Sequence, residues 1–147
     1  DLDHLGLFAA CRNFCSEFQS RSNLEVQCRT TSLNKRLSPD VELNLFRIVQ
    51  EAINNIDKHA HAKLVKLQIG CRGNSIYLKI QDNGRGFDLK KPKPKTGKKK
   101  GHGLGLTSMS ERALSLGGTC KVKSAPKRGT TISVVVPLPV DKDKDGK

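Results

Sequence analysis

Two glycine clusters and the loop between them constrain this chain more than any other stretch. Residues 82–87 read Asp-Asn-Gly-Arg-Gly-Phe, and residues 101–106 read Gly-His-Gly-Leu-Gly-Leu. Glycine admits positive φ and close backbone approach, so each cluster can lie against a ligand. Seven lysines fall between Lys90 and Lys100, with Pro92 and Pro94 among them, and no apolar periodicity gives this loop a face to pack. The second cluster runs into a helical pattern from Leu104 to Leu116. A helix start offers free N–H groups and a positive dipole end, which suit phosphate. An acid, a lysine-rich loop and a glycine-rich helix start, in that order, predict a nucleotide site under a flexible lid over about 88–101.

The flanking segments are consistent with such a site. Apolar residues at Leu5, Leu7, Phe8, Cys11, Phe14, Cys15 and Phe18 have helical spacing over residues 5–20. Leu24, Val26 and Cys28 alternate as in a strand, and residues 30–37 read as polar linker. Ser38-Pro39-Asp40 is a helix start, with a capping serine, proline at the first position and an acid in the first turn. The predicted helix runs to about Ala60 on a stripe of Leu45, Phe46, Ile48, Val49, Ala52, Ile53 and Ile56. Glu51, Asn55 and Lys58 share one face of it, either a solvated face or a pocket wall in which Asn55 offers an oxygen to magnesium.

Strands are predicted over 63–70 and 75–82, joined by Arg72-Gly73-Asn74 as a hairpin. Ile76, Leu78, Ile80 and Asp82 have one parity, so the acid ends the buried face of its strand. An ionised carboxylate there is costly unless it is hydrogen-bonded, and an adenine amino group with an ordered water would serve. Two more strands are predicted over 120–124 and 130–136, ended by Pro137 and Pro139. Thr130 has the parity of Ile132, Val134 and Val136, which puts its hydroxyl on the inner face. The strands are not followed singly by helices, so a doubly wound sheet is unfavoured. An α/β sandwich with a mixed, mostly antiparallel sheet and helices on one face fits better.

The 147 residues suffice for one domain with a core, here 1–140, and residues 141–147 are a charged tail expected to be disordered. No apolar run is long enough to cross a bilayer. Five cysteines, odd in number and scattered, argue against a disulfide framework and for the cytoplasm. The net charge of +13 invites nucleic-acid binding, but the lysine run accounts for much of it, and one tyrosine without tryptophan leaves little for base stacking. A P-loop is absent. The second glycine cluster follows a loop rather than a strand, unlike a Rossmann site. The four histidines lack metal spacing.

With these residues in place, the chain resembles the ATP-binding catalytic domain of sensor histidine kinases, within the superfamily of gyrase, heat-shock chaperone and MutL ATPases. Residues 51–60, Glu-Ala-Ile-Asn-Asn-Ile-Asp-Lys-His-Ala, resemble its N box. The two glycine clusters resemble its glycine boxes, and Gly129-Thr130 its closing motif. Residues 46–52 and 109–113 are similar to the nitrate- and oxygen-sensor subgroup that pairs with LuxR/NarL-type response regulators.

The resemblance implies the fold of that family, the Bergerat ATP-binding fold, and the cofactors ATP and Mg2+. It implies Asn55 as magnesium ligand, Asp82 as acceptor from the adenine amine, and Thr130 as holder of a shared water. Gly84 and Gly86 would turn the chain under the base. Gly101, His102, Gly103, Leu104, Gly105 and Leu106 would approach the phosphates, with Lys58 and His59 as further contacts. Glu51 matches a general-base position and here would be a polar orienter.

The implied activity is donation of the γ-phosphoryl to a histidine on a separate dimerisation domain, followed by transfer to a response regulator. That domain is missing from the sequence, so the chain reads as a monomeric fragment of a homodimeric parent, with no direct contact to nucleic acid or membrane. A serine kinase or anti-sigma regulator on the same fold, a MutL-like clamp and a basic nucleic-acid module are the alternatives. The lysine-rich lid would make nucleotide binding salt-sensitive.

Overall fold

The computed structural model describes residues 2–31, 37–86 and 106–138. Helix α1 spans Leu2–Ser20, β1 Glu25–Thr30, α2 Pro39–His59, β2 Leu64–Arg72 and β3 Ser75–Asp82. Helix α3 follows at Leu106–Ser115, then β4 at Thr119–Ser124 and β5 at Thr130–Pro137. The five strands form one sheet in the order β1-β2-β3-β5-β4. Only β1 and β2 pair in parallel; the remaining three pairs are antiparallel. This is the mixed sheet expected from the sequence.

Strand parity decides which face is covered. Val65, Leu67 and Ile69 on β2, Ile76, Leu78 and Ile80 on β3, and Ile132, Val134 and Val136 on β5 are all buried. Alternate residues such as Lys66, Lys79, Lys121 and Lys123 are exposed, so one face is a polar, basic surface. The helices cover the other face. Helix α2 presents Val41, Leu45, Ile48, Val49, Ala52, Ile53 and Ile56 to the core. Each large aliphatic buried this way contributes about 1.5–3 kcal/mol, so this stripe dominates the docking of α2 on the sheet. Its start is fixed as expected: Ser38 Oγ accepts from the Val41 N–H at 3.3 Å, and Pro39 occupies the first turn. Helix α3 docks through Met109 and Ala113, both fully buried.

Several boundaries differ from the sequence reading. Helix α1 starts at Leu2 and is broken at Gly6 (φ 76°, ψ 176°), a conformation that glycine reaches without a Cβ penalty. Strand β1 continues through Thr30, and Leu37, assigned to a polar linker, is buried in the core. Strand β5 includes Pro137, opposite Ser75. A last-residue proline gives up only a terminal N–H, which the strand end tolerates. Helix α3 stops at Ser115, with Gly118 N–H donating to the Ala113 carbonyl at 2.8 Å. The lid over 88–101, the glycines at 101, 103 and 105, His102, Leu104 and the tail over 141–147 lie outside the described residues.

Candidate functional site

The pairing of β3 with β5 places Asp82 opposite Thr130 at the end of both strands. Both residues are buried despite their polarity. They line a small cavity of about 20 Å³ together with Asn55, Ala52, Ile56 and Ala60 from the end of α2, and Ile132. That volume matches a single water rather than a purine. The surface it exposes is almost wholly apolar, so the cavity is the apolar floor of a site beside which Asp82, Thr130 and Asn55 stand.

Asp82 is held by the backbone around it. Gly84 N–H donates to its Oδ1 at 2.7 Å, and the Thr130 backbone also hydrogen-bonds the carboxylate. Burial nonetheless raises its pKa above the ordinary carboxylate range, with these two backbone bonds opposing the shift. A carboxylate has about four acceptor positions. Two are used by the backbone, leaving capacity for a donor entering the cavity. Thr130 is set with similar economy. Ser124 Oγ donates to the Gly129 carbonyl at 3.0 Å and lies 2.8 Å from Thr130 Oγ1. The single serine proton goes to Gly129, so the Thr130 hydroxyl is the donor between the two. Its own lone pairs then keep acceptor capacity.

The turn after β3 is clamped from both sides. Asn83 Oδ1 accepts from Lys63 N–H at 2.9 Å and Leu64 N–H at 3.0 Å. Arg85 N–H donates to the Ala60 carbonyl at 2.8 Å, and Lys127 N–H donates to the Arg85 carbonyl. Gly84 lies so close to α2 that a Cβ would stand 2.3 Å from the Ala60 carbonyl oxygen. Gly86 has φ +66°, and a Cβ there would stand 2.1 Å from the Ala125 carbonyl oxygen. Both glycines are therefore required by packing of this turn against α2 and the β4–β5 turn.

The fold thus brings together Asn55, Asp82, Gly84 and Thr130. Glu51 is half-buried one turn before Asn55, and Lys58 and His59 are exposed at the end of α2; none of the three lines the cavity. Leu106 opens α3, while the rest of the second glycine cluster lies outside the described residues. Sequence reasoning missed Asn83 and Ser124. Asn83 was visible only as part of a glycine turn. Ser124 faces Thr130 across the β4–β5 register, which no local pattern announces.

A mixed five-stranded sheet under helices on one face, with a small cavity where α2 meets the ends of β3 and β5, defines a class. The chain belongs to the histidine kinase-, DNA gyrase B-, and HSP90-like ATPase family, whose profile matches residues 40–140. It is 36% identical over 140 residues to the signal transduction histidine-protein kinase/phosphatase DegS of Bacillus subtilis (strain 168), covering 93% of this chain and 35% of DegS. It is 34% identical over 137 residues to the oxygen sensor histidine kinase NreB of Staphylococcus carnosus (strain TM300), covering 93% of this chain and 38% of NreB. The chain thus spans little more than a third of these relatives. Among solved structures, the blue-light activated histidine kinase of Erythrobacter litoralis EL346 superposes with a TM-score of 0.72 at 19% identity, over 93% of this chain and 43% of that one. The catalytic domain of histidine kinase ThkA superposes with a TM-score of 0.68 at 16% identity, over 90% of both chains. These last two likenesses concern the fold.

Proposed function

We propose that residues 1–140 are the ATP-binding catalytic domain of a sensor histidine kinase. In this reading the chain binds Mg-ATP and donates the γ-phosphoryl group to a histidine on a separate dimerisation domain of the same protein. The observation that carries it is the convergence of Asp82, Thr130 and Asn55 on one cavity at the end of β3 and β5.

The chemistry of these residues fits the ligand. Asp82 retains acceptor capacity toward an adenine amine, and Thr130 toward the water between them. Ala52, Ile56 and Ile132 supply apolar surface beside the base. Asn55 offers one amide oxygen, and no group of three or more His, Cys, Asp or Glu among the described residues could hold a metal. A magnesium ion at Asn55 would take its other ligands from phosphate and water, which is its ordinary habit. When bound, it supplies charge neutralisation at the phosphates. The protein's own part is then positioning: Asp82 fixes the base and Asn55 the phosphate end. Lys58, His59, Glu51 and residues 101–106 are assigned around the phosphates by resemblance. No helix among the described residues is long and apolar enough to cross a membrane.

We further assign the parent protein as a homodimer that passes the phosphoryl group to a LuxR/NarL-type response regulator in the cytoplasm. The test is incubation of the parent protein with γ-labelled ATP. Label that is acid-labile and alkali-stable, as phosphohistidine is, supports the reading. Acid-stable, alkali-labile label would instead mark a serine kinase on the same fold.

A further inference from the structure

Three of the five cysteines meet at the seam between α1 and β1. Cys11 and Cys15 are one helical turn apart and buried, and Cys28 is half-buried on β1. Two hydrogen bonds fix how the helix lies on the strand. Arg12 Nη1 donates to Thr30 Oγ1 at 3.3 Å, and Gln19 Oε1 accepts from the Val26 N–H at 2.7 Å. Helix and strand therefore run in opposite directions. Seven helical residues cover roughly 10 Å and four strand residues roughly 13 Å, so the two spans nearly match. Cys28 is the strand residue midway between those anchors. On the helix, the midpoint falls at residues 15 and 16, of which Cys15 is buried and Ser16 exposed. The two sulfurs meet there in hydrogen-bond contact.

We propose that Cys15 and Cys28 form an oxidation site that takes a peroxide and closes to a disulfide joining α1 to the edge strand β1. Cys28, half-buried where Cys15 is buried, is the attacking sulfur. The hydrogen bond from Cys15 and the nearby Arg12 guanidinium hold it below the usual thiol range, against the effect of burial. Cys15 keeps its proton: its hydrogen bond to Cys28 and its burial push it far up. Burial does the same for Cys11, with the charge of Cys28 adding to it.

The Cys28 thiolate attacks one peroxide oxygen, the O–O bond breaks, and hydroxide leaves, giving a sulfenic acid. Cys15 sulfur then displaces the sulfenic oxygen, which leaves as water with the Cys15 proton. The two sulfurs lose two electrons in total, and the peroxide is reduced to two waters once the hydroxide is protonated. The bond itself needs sulfurs about 2.05 Å apart and Cα atoms about 4.4–6.8 Å apart. The product ties down β1, which among the described strands pairs only with β2.

The experiment uses the wild-type chain, treated with hydrogen peroxide, alkylated and digested with trypsin. Cleavage after Arg12, Arg21 and Arg29 puts Cys11, Cys15 and Cys28 on three different peptides. The expected product joins residues 13–21 to residues 22–29 and is released by dithiothreitol. Cys11→Ser leaves that product unchanged. Cys15→Ser stops at a Cys28 sulfenic acid that dimedone traps. Three results would overturn the proposal: no joined peptide from the folded chain, joining of residues 1–12 to 22–29 as the main product, or the same mixture from folded and urea-unfolded chain.

Discussion

Replacing Gly84 by alanine tests whether the turn after β3 is clamped as tightly as the geometry states. Gly84 does not have a positive φ, so an alanine backbone is permitted and the cost is one of space. The new Cβ would stand 2.3 Å from the Ala60 carbonyl oxygen, 2.8 Å from Ala60 Cβ and 2.8 Å from Asp82 Oδ1. Overpacking of this kind costs about 1–3 kcal/mol. The Ala60 carbonyl cannot retreat freely, because it accepts from Arg85 N–H at 2.8 Å. Losing that bond adds about 0.5–1.5 kcal/mol. Reduced freedom of the unfolded chain returns about 0.4–1 kcal/mol. The net is a destabilisation of about 2 kcal/mol, or a fall in Tm of about 4–8 °C for a domain of this size. The assay is thermal unfolding by calorimetry or circular dichroism, with Gly73→Ala as comparator. Gly73 has φ +60° and nothing within 4 Å of a new Cβ, so its cost is backbone strain alone. The added methyl also crowds the Asp82 carboxylate, so Gly84→Ala should weaken nucleotide binding and Gly73→Ala should not. A Gly84→Ala protein with wild-type Tm and wild-type affinity would show that this turn is not clamped.

Asp82→Asn should move stability and binding in opposite directions. The folded pKa of Asp82 is raised, so the folded state holds its proton more tightly than the unfolded chain does, and wild-type stability falls as pH rises through that raised value. The asparagine variant lacks this fall, so its Tm relative to wild type should climb from acidic to neutral pH; a relative decline would contradict the burial argument. Asn55→Ala should reduce the magnesium-dependent part of nucleotide affinity about tenfold or more, read by titration at fixed nucleotide and varied magnesium. Met109→Ala removes a fully buried side chain that docks α3, and denaturant unfolding should show a loss of about 2–5 kcal/mol.

The elements were legible because their signals are local. The Ser38-Pro39 start and aliphatic stripe of α2 are read from the chain and reappear in the structure. Parity placed Asp82 and Thr130 on the inner face. It could not say that they are opposite one another, because parity assigns faces and not neighbours. The parallel pairing of β1 with β2 and the strand order were invisible for the same reason. Leu37 was lost among polar residues because it and Leu33 alone are too few to set a period, though the core buries Leu37. The meeting of Cys15 with Cys28 depends on how α1 docks, and helical spacing alone announced only Cys11 with Cys15. Glu51, Lys58 and His59 share a helix with Asn55, but only Asn55 reaches the cavity.

Calorimetric titration of this chain with a non-hydrolysable ATP analogue, with and without magnesium and on Asp82→Asn, decides whether Asp82 belongs to a nucleotide site. The expected result is one-site binding that requires magnesium and is lost in a variant that remains folded. Folded wild-type chain that binds no nucleotide, or binds equally well without the Asp82 carboxylate, would contradict it.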